Sequence, residues 1–249
     1  MPSAALIDVP ERTVLAPLLD VSEITAGYNR RQVLYGVSVS VGRGEVVTVL
    51  GHNGAGKTTL LKTIVGFVPL SSGEIRFADR DRANESYTRR VRDGISFTPA
   101  EAPVFRDLTV RDNLELGAFT VPSREERSRR IARVYQLFPI LDERQTQLAG
   151  TLSGGQQRML SLSMAIMAKP KLMLLDEPSL GLSPAVVQTI FAQIRRFADE
   201  DGMSVLLVEQ NVKSALRIAD RAYFMRTGKI LLEEDSATAL ARGNWWDLF

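Results

Sequence analysis

The chain has 249 residues, 45% hydrophobic and 24% charged, enough apolar surface for a sizeable core and too much for a chain whose main state is disorder. Lys and Arg number 31 against 29 Asp and Glu, a formal net charge of +2, so the basic excess of a dedicated nucleic-acid binder is missing and no nucleic-acid partner is expected. Cysteine is absent, which excludes disulfides and thiolate metal sites.

Residues 1–17 lack periodicity and read as a flexible N-terminal extension; Asp8, Glu11 and Arg12 interrupt any apolar run of signal-peptide type. Val37-Ser38-Val39-Ser40-Val41 alternates strictly, as a half-buried strand does. Glu45–Leu50 is a nearly continuous β-branched run, the mark of a strand covered on both faces, and strands of the same kind are expected at Gly94–Thr98, Lys171–Leu175 and Ser204–Val208. Between Pro99 and Pro170 the texture turns helical. There Ser123-Arg124-Glu125-Glu126 has capping-box spacing and opens a helix to about Phe138, along which Arg124, Arg127, Arg129, Arg130 and Arg133 read as a solvated face. Ser183-Pro184 reads as an N-cap followed by proline at the first helical position. Trp245, Trp246 and Phe249 form a terminal aromatic cluster, expected to clamp onto the core, with a partner contact as the alternative. No stretch approaches the ~20 apolar residues that cross a bilayer, so any role at a membrane is expected to go through a partner. Alternating strands and helices predict an α/β architecture with a largely parallel sheet, divided into a core at 18–98 and 169–249 and a helical subdomain at 99–168.

Three motifs carry chemistry. Gly51-His52-Asn53-Gly54-Ala55-Gly56-Lys57-Thr58 matches G-x-x-x-x-G-K-[ST], follows a predicted strand, and runs through Thr59 into a predicted helix. Glycines let backbone N–H groups curl around a polyphosphate, and the helix N-terminus adds partial positive charge. Lys57 is expected to reach the β- and γ-phosphates, and Thr58 a magnesium ion. Lys171–Leu175 then ends in Asp176-Glu177-Pro178, which places Asp176 to hold the metal through water and Glu177 to polarise an attacking water as general base. The third, Leu152-Ser153-Gly154-Gly155-Gln156-Gln157-Arg158, precedes an apolar helix. It makes another anion-facing N-terminus in a chain with one phosphate loop, which points to nucleotide bound by a second subunit.

These motifs, in this order, resemble the ATP-binding subunits of ABC transporters over about residues 18–234. Asp176 through Pro184 and Leu207-Val208-Glu209-Gln210-Asn211 look like the subunits of branched-chain amino-acid importers, whose close relatives serve urea and other amides. The resemblance implies a P-loop NTPase core of RecA-like, ABC type, with an antiparallel β subdomain and an inserted α-helical subdomain. It also implies ATP and Mg2+ as ligands, and a second ABC ATPase in a homo- or heterodimer. Transmembrane permease subunits, an external solute-binding protein acting indirectly, and a peripheral location on the cytoplasmic face of the membrane complete the expectation.

By the same resemblance Tyr28 lies where an adenine-stacking aromatic sits, a contact typically worth about 1–3 kcal/mol. Gly51, Asn53, Gly54, Ala55, Gly56, Lys57, Thr58 and Thr59 form the phosphate cradle, and Ser153, Gly154, Gly155 and Gln156 complete a partner's site. The segment around Phe105 and Leu108 resembles the wall that receives a permease helix; filling of the helical subdomain is the alternative. The pattern is broken at Ala100, where most relatives carry a glutamine, with Glu101 beside it. Gln210 stands in place of the usual switch histidine and is a candidate catalytic residue with Glu177, and Met164 replaces a common arginine. The readings that follow are an energy-coupling ATPase subunit of an importer of branched-chain amino acids or a related small polar solute, a weakly hydrolytic ATP-binding module paired with a more active subunit, or a subunit of a urea or amide importer. An ABC ATPase of DNA repair or translation needs a long coiled-coil insertion or a second phosphate loop, and neither is expected from this sequence.

Overall fold

The structure, a computed structural model, describes residues 16–242 and Trp245, with Arg30 and Asn84 excepted. The expected N-terminal extension up to residue 15, and Trp246 and Phe249, lie outside the described residues. Along the chain run β1 (Leu19–Tyr28), β2 (Arg31–Val41), β3 (Val46–Leu50), α1 (Lys57–Ile64), β4 (Leu70–Phe77), β5 (Arg80–Asp81), α2 (Tyr87–Arg92) and β6 (Ile95–Thr98). A helical run follows: α3 (Val110–Gly117), α4 (Arg124–Leu137), α5 (Pro139–Glu143) and α6 (Gly154–Met167). Then come β7 (Leu172–Asp176), α7 (Pro184–Asp201), β8 (Ser204–Glu209), α8 (Val212–Leu216), β9 (Arg221–Arg226), β10 (Lys229–Asp235) and α9 (Ser236–Arg242).

The strands form two sheets, an antiparallel one ordered β2-β1-β4-β5 and a six-stranded one ordered β10-β9-β3-β8-β7-β6. Only β10 runs antiparallel in the second. Its central strands β3, β7 and β8 are buried at every residue, yet their side chains still alternate between two cores. Val46, Leu50, Met173, Leu175, Val205 and Leu207 meet the helices α3–α7. Val47, Val49, Leu172, Leu174, Leu206 and Val208 meet α1 and the antiparallel sheet. Both faces being covered explains why these strands read as continuous apolar runs. At the junction of the sheets Arg221 bonds Glu45 at 2.6 Å and the Ser40 carbonyl at 3.0 Å.

Two expectations need correction, those for β6 and for the arginines of α4, while those for Ser183-Pro184 and Trp245 hold. The segment Gly94–Thr98 does form β6, but as the last strand of its sheet it leaves Ser96 and Phe97 half-buried. Ser183 occupies the N-cap of α7 with extended backbone, but its side chain makes no capping bond; Pro184 supplies the first helical position. The arginines of α4 are not a uniformly solvated face: Arg130 donates to the Met167 carbonyl at 2.6 Å, satisfying the C-terminal end of α6, and Arg133 bonds Asp201 at 2.8 Å. Trp245 packs on the core and donates to the Ala239 carbonyl at 2.5 Å. Among the described residues no helix is long and apolar enough to cross a membrane.

Candidate functional site

The carboxyl ends of β3, β8, β7 and β6 lie side by side, with Leu50 beside Glu209, Val208 beside Asp176 and Leu175 beside Thr98. Open α/β sheets present their ligand sites at this edge. After β3 the chain turns through Gly51–Gly56 into α1. A Cβ at Gly51 would collide with the Met225 carbonyl oxygen, and Gly56 caps α1 at φ +108°, where an L side chain is strained. The loop thus needs glycine at both ends, for different reasons. Lys57 is 4% exposed; its Nζ donates to the Gly51 and His52 carbonyls at 2.7 and 3.2 Å and lies 3.3 Å from Glu177 Oε1. Asn53 through Thr59 line a cavity of about 190 Å³ together with Val33 and Glu177.

At the end of β7 the buried Asp176 accepts from Thr58 Oγ1 at 3.0 Å. Burial pushes the Asp176 carboxyl above its ordinary value, and the Thr58 hydrogen bond opposes the shift. A hydroxyl and a carboxylate brought together offer hard oxygen ligands of the kind magnesium takes, usually alongside waters and substrate phosphates. Among the described residues there is no cluster of three His, Cys, Asp or Glu side chains able to hold a metal without such help. Glu177 has left-handed backbone, φ +44°, with its N–H bonded to the Val208 carbonyl at 2.9 Å. Strain of that kind persists only where the surroundings hold it. Its second carboxylate oxygen accepts from Gln210 Nε2 at 2.7 Å, so Gln210, following β8, meets Glu177 across the strand ends.

Ser153, Gly154, Gly155 and Gln156, the residues of the serine–glycine motif at the start of α6, do not line the phosphate-loop cavity. Ser153 caps α6 by a reciprocal capping box with Gln156, and Ser153 and Gly154 are exposed. Tyr28, at the end of β1, is 43% exposed and so is not a core tyrosine. Ala100 is half-buried in the turn after β6 and Glu101 is exposed. Met164, half-buried in α6, lies against Gly117 of α3.

Two buried charges escape local reading. Arg158, 7% exposed, lies within electrostatic reach of Glu209, Glu101, Asp176 and Glu177, while burial lowers its pKa. Its Nη1 donates to the Pro99 carbonyl at 3.4 Å, tying α6 to the turn after β6. Glu209, 1% exposed, is pushed up by burial against the hydrogen bonds it accepts. The only signal for Arg158 was its place at the end of the serine–glycine motif, and for Glu209 its place before Gln210.

A glycine loop between a buried strand and a helix, with an acidic strand end beside its lysine, defines a phosphate-loop nucleotide-binding protein. The family model described as "ABC transporter" matches residues 34–180, and the chain belongs to that family as an ATP-binding, ATP-hydrolysing subunit. It is 43% identical over 223 residues to the "High-affinity branched-chain amino acid transport ATP-binding protein BraG" of Pseudomonas aeruginosa, covering 90% of this chain and 95% of that protein. It is 35% identical over 234 residues to the "Probable branched-chain amino acid transport ATP-binding protein LivF" of Archaeoglobus fulgidus, covering 91% and 99%. A solved ATP-binding cassette of an ABC transporter superposes with TM-score 0.83 at 26% identity, covering 94% of this chain and 99% of that one.

Proposed function

We propose that this chain binds ATP with Mg2+ and hydrolyses it to power uptake of branched-chain amino acids through permease subunits at the cytoplasmic face of a membrane. One observation carries the reading: Lys57, Thr58, Asp176, Glu177 and Gln210 converge by hydrogen bonds and an ion pair, while the exposed start of α6 stays apart from them. One chain therefore supplies half a site, and Ser153 through Gln156 face a nucleotide held by a second subunit. Thr58 and Asp176 would hold the magnesium, which supplies charge neutralisation on the phosphates. Lys57 grips the phosphates, Tyr28 stacks on adenine, and Glu177, oriented by Gln210, takes a proton from the attacking water. The identity with BraG over nearly its whole length supports the solute assignment. In proteoliposomes holding the chain with its permease subunits and external binding protein, ATP-dependent uptake of labelled leucine, isoleucine and valine is expected; uptake of urea alone would contradict the solute reading.

The permease contact is read at Phe105, which is 53% exposed, and Leu108, 36% exposed, so neither fills the helical segment. Buried Asn113 fixes the display: its Oδ1 accepts from Phe105 N at 2.8 Å and its Nδ2 donates to Phe105 O at 3.0 Å. Phe105→Asp is expected to abolish co-purification with the permease while shifting unfolding free energy by no more than about 0.5 kcal/mol, as exposed sites do. Unchanged co-purification with normal folding would remove this contact.

A second reading is favoured by Ala100, whose methyl can neither ligate a metal nor orient water. There the chain is a weakly hydrolytic module beside a more active ATPase. Loss of one hydrogen bond to a charged group costs about 1.5–3 kcal/mol, which weakens turnover without abolishing it while Glu177 is present.

A further inference from the structure

Glu209 ends β8, and its carboxylate is taken up by two loops. Oε1 accepts from Ser179 N at 2.8 Å, and Oε2 accepts from Ser179 Oγ at 2.9 Å, Gln210 N at 3.1 Å and Asn211 N at 3.3 Å. A buried carboxylate is costly unless its lone pairs are used, and here three of the four donors are backbone N–H groups. The result is a closed ring around Glu177. Its N–H is held by the Val208 carbonyl, Ser179 two residues on is held by Glu209, Glu209 holds the Gln210 backbone, and the Gln210 amide returns to the Glu177 carboxylate at 2.7 Å. Within that ring Glu177 keeps its left-handed backbone.

We propose that Glu209 is a positioning residue for ATP hydrolysis: it locks the Ser179 loop to the Gln210–Asn211 turn and so sets the orientation of the Glu177 carboxylate through the Gln210 side chain. The inference rests on the reading of Glu177 as the base. It assigns Glu209 no contact with nucleotide, so its loss acts on turnover and spares binding. In Glu209→Gln the shape is kept, but one oxygen becomes an NH2 group. Either the Ser179 N–H or the N–H pair of Gln210 and Asn211 then faces a donor and loses its acceptor.

The test uses the full-length protein in its transporter assembly, with phosphate release for kcat and equilibrium dialysis for ATP affinity. It compares wild type, Glu209→Gln, Gln210→Ala, the double variant and Glu177→Gln. A hydrogen bond to a charged group felt in the transition state corresponds to about a 10–100-fold fall in kcat for Glu209→Gln, with Kd for ATP within about twofold of wild type. Because the two residues act as one unit, the double variant is expected within about twofold of Gln210→Ala alone. Wild-type turnover in Glu209→Gln beside an inactive Glu177→Gln would overturn the proposal. So would multiplicative losses in the double variant, or a fall in affinity matching the fall in kcat. Wild-type turnover in Glu177→Gln would instead remove the base reading, and the inference with it. Should Glu209→Gln not fold, Ser179→Ala deletes only the hydroxyl bond. A lowered kcat at unchanged Kd then supports the ring, and an unchanged kcat overturns it.

Discussion

Glu177→Gln is expected to lower ATP turnover by about 10²–10⁴-fold, the usual worth of a general base, while leaving ATP bound. The carboxamide keeps the size of the side chain and one acceptor oxygen for Lys57 or Gln210, whose contacts with Glu177 stand at 3.3 and 2.7 Å. What it loses is the ability to take a proton. Binding should survive because Glu177 is one of many residues lining the loop cavity and the phosphate cradle is otherwise intact. Phosphate release and nucleotide affinity, measured on the same preparation, separate the two effects. Near-wild-type ATPase in an assembly carrying this variant would remove the base reading for this chain and leave the weakly hydrolytic module, with turnover residing in the second subunit.

The companion expectation concerns binding. Lys57→Ala should weaken ATP affinity by at least about 100-fold, since an ammonium engaging charged phosphates makes hydrogen bonds worth about 1.5–3 kcal/mol each. Part of that worth is already spent on the Gly51 and His52 carbonyls and on Glu177, so the loss falls short of the full sum. The fold should hold, because Glu177 keeps Gln210 as a donor and the glycines that shape the loop are untouched. Thermal unfolding followed by circular dichroism beside the binding assay checks this. An affinity within about twofold of wild type would be too small a change for two such bonds.

Much of the fold was legible because its signals are local. Strand β3, the glycine loop and α1 follow one another without interruption, so an apolar run, a motif and a helix start could be read as one unit. The alternation in Val37–Val41 reports one covered face of β2, and the continuous runs of β7 and β8 report two. Strand β6 misled because Ile95 and Phe97 alternate with Ser96 and Thr98 instead of forming a continuous apolar run, and an edge strand is uncovered along one side. Arg130 and Arg133 misled because helical spacing shows which residues share a face, not which neighbouring carbonyl or carboxylate that face meets. Arg158 is buried where α6 meets the turn after β6, and the meeting of Gln210 with Glu177 and the burial of Glu209 follow from β8 lying between β3 and β7. Residues separated by 30 or more positions become partners there, and no local pattern encodes that order.

The central claim is that the loop around Lys57 holds a nucleoside triphosphate. Equilibrium dialysis of the full-length, folded protein against labelled ATP with magnesium tests it most directly: saturable binding of ATP by the wild type, greatly weakened in Lys57→Ala, is the result expected. Folded wild-type protein that retains no ATP above the dialysate would contradict the assignment of the loop, and with it the roles given to Asp176, Glu177 and Gln210.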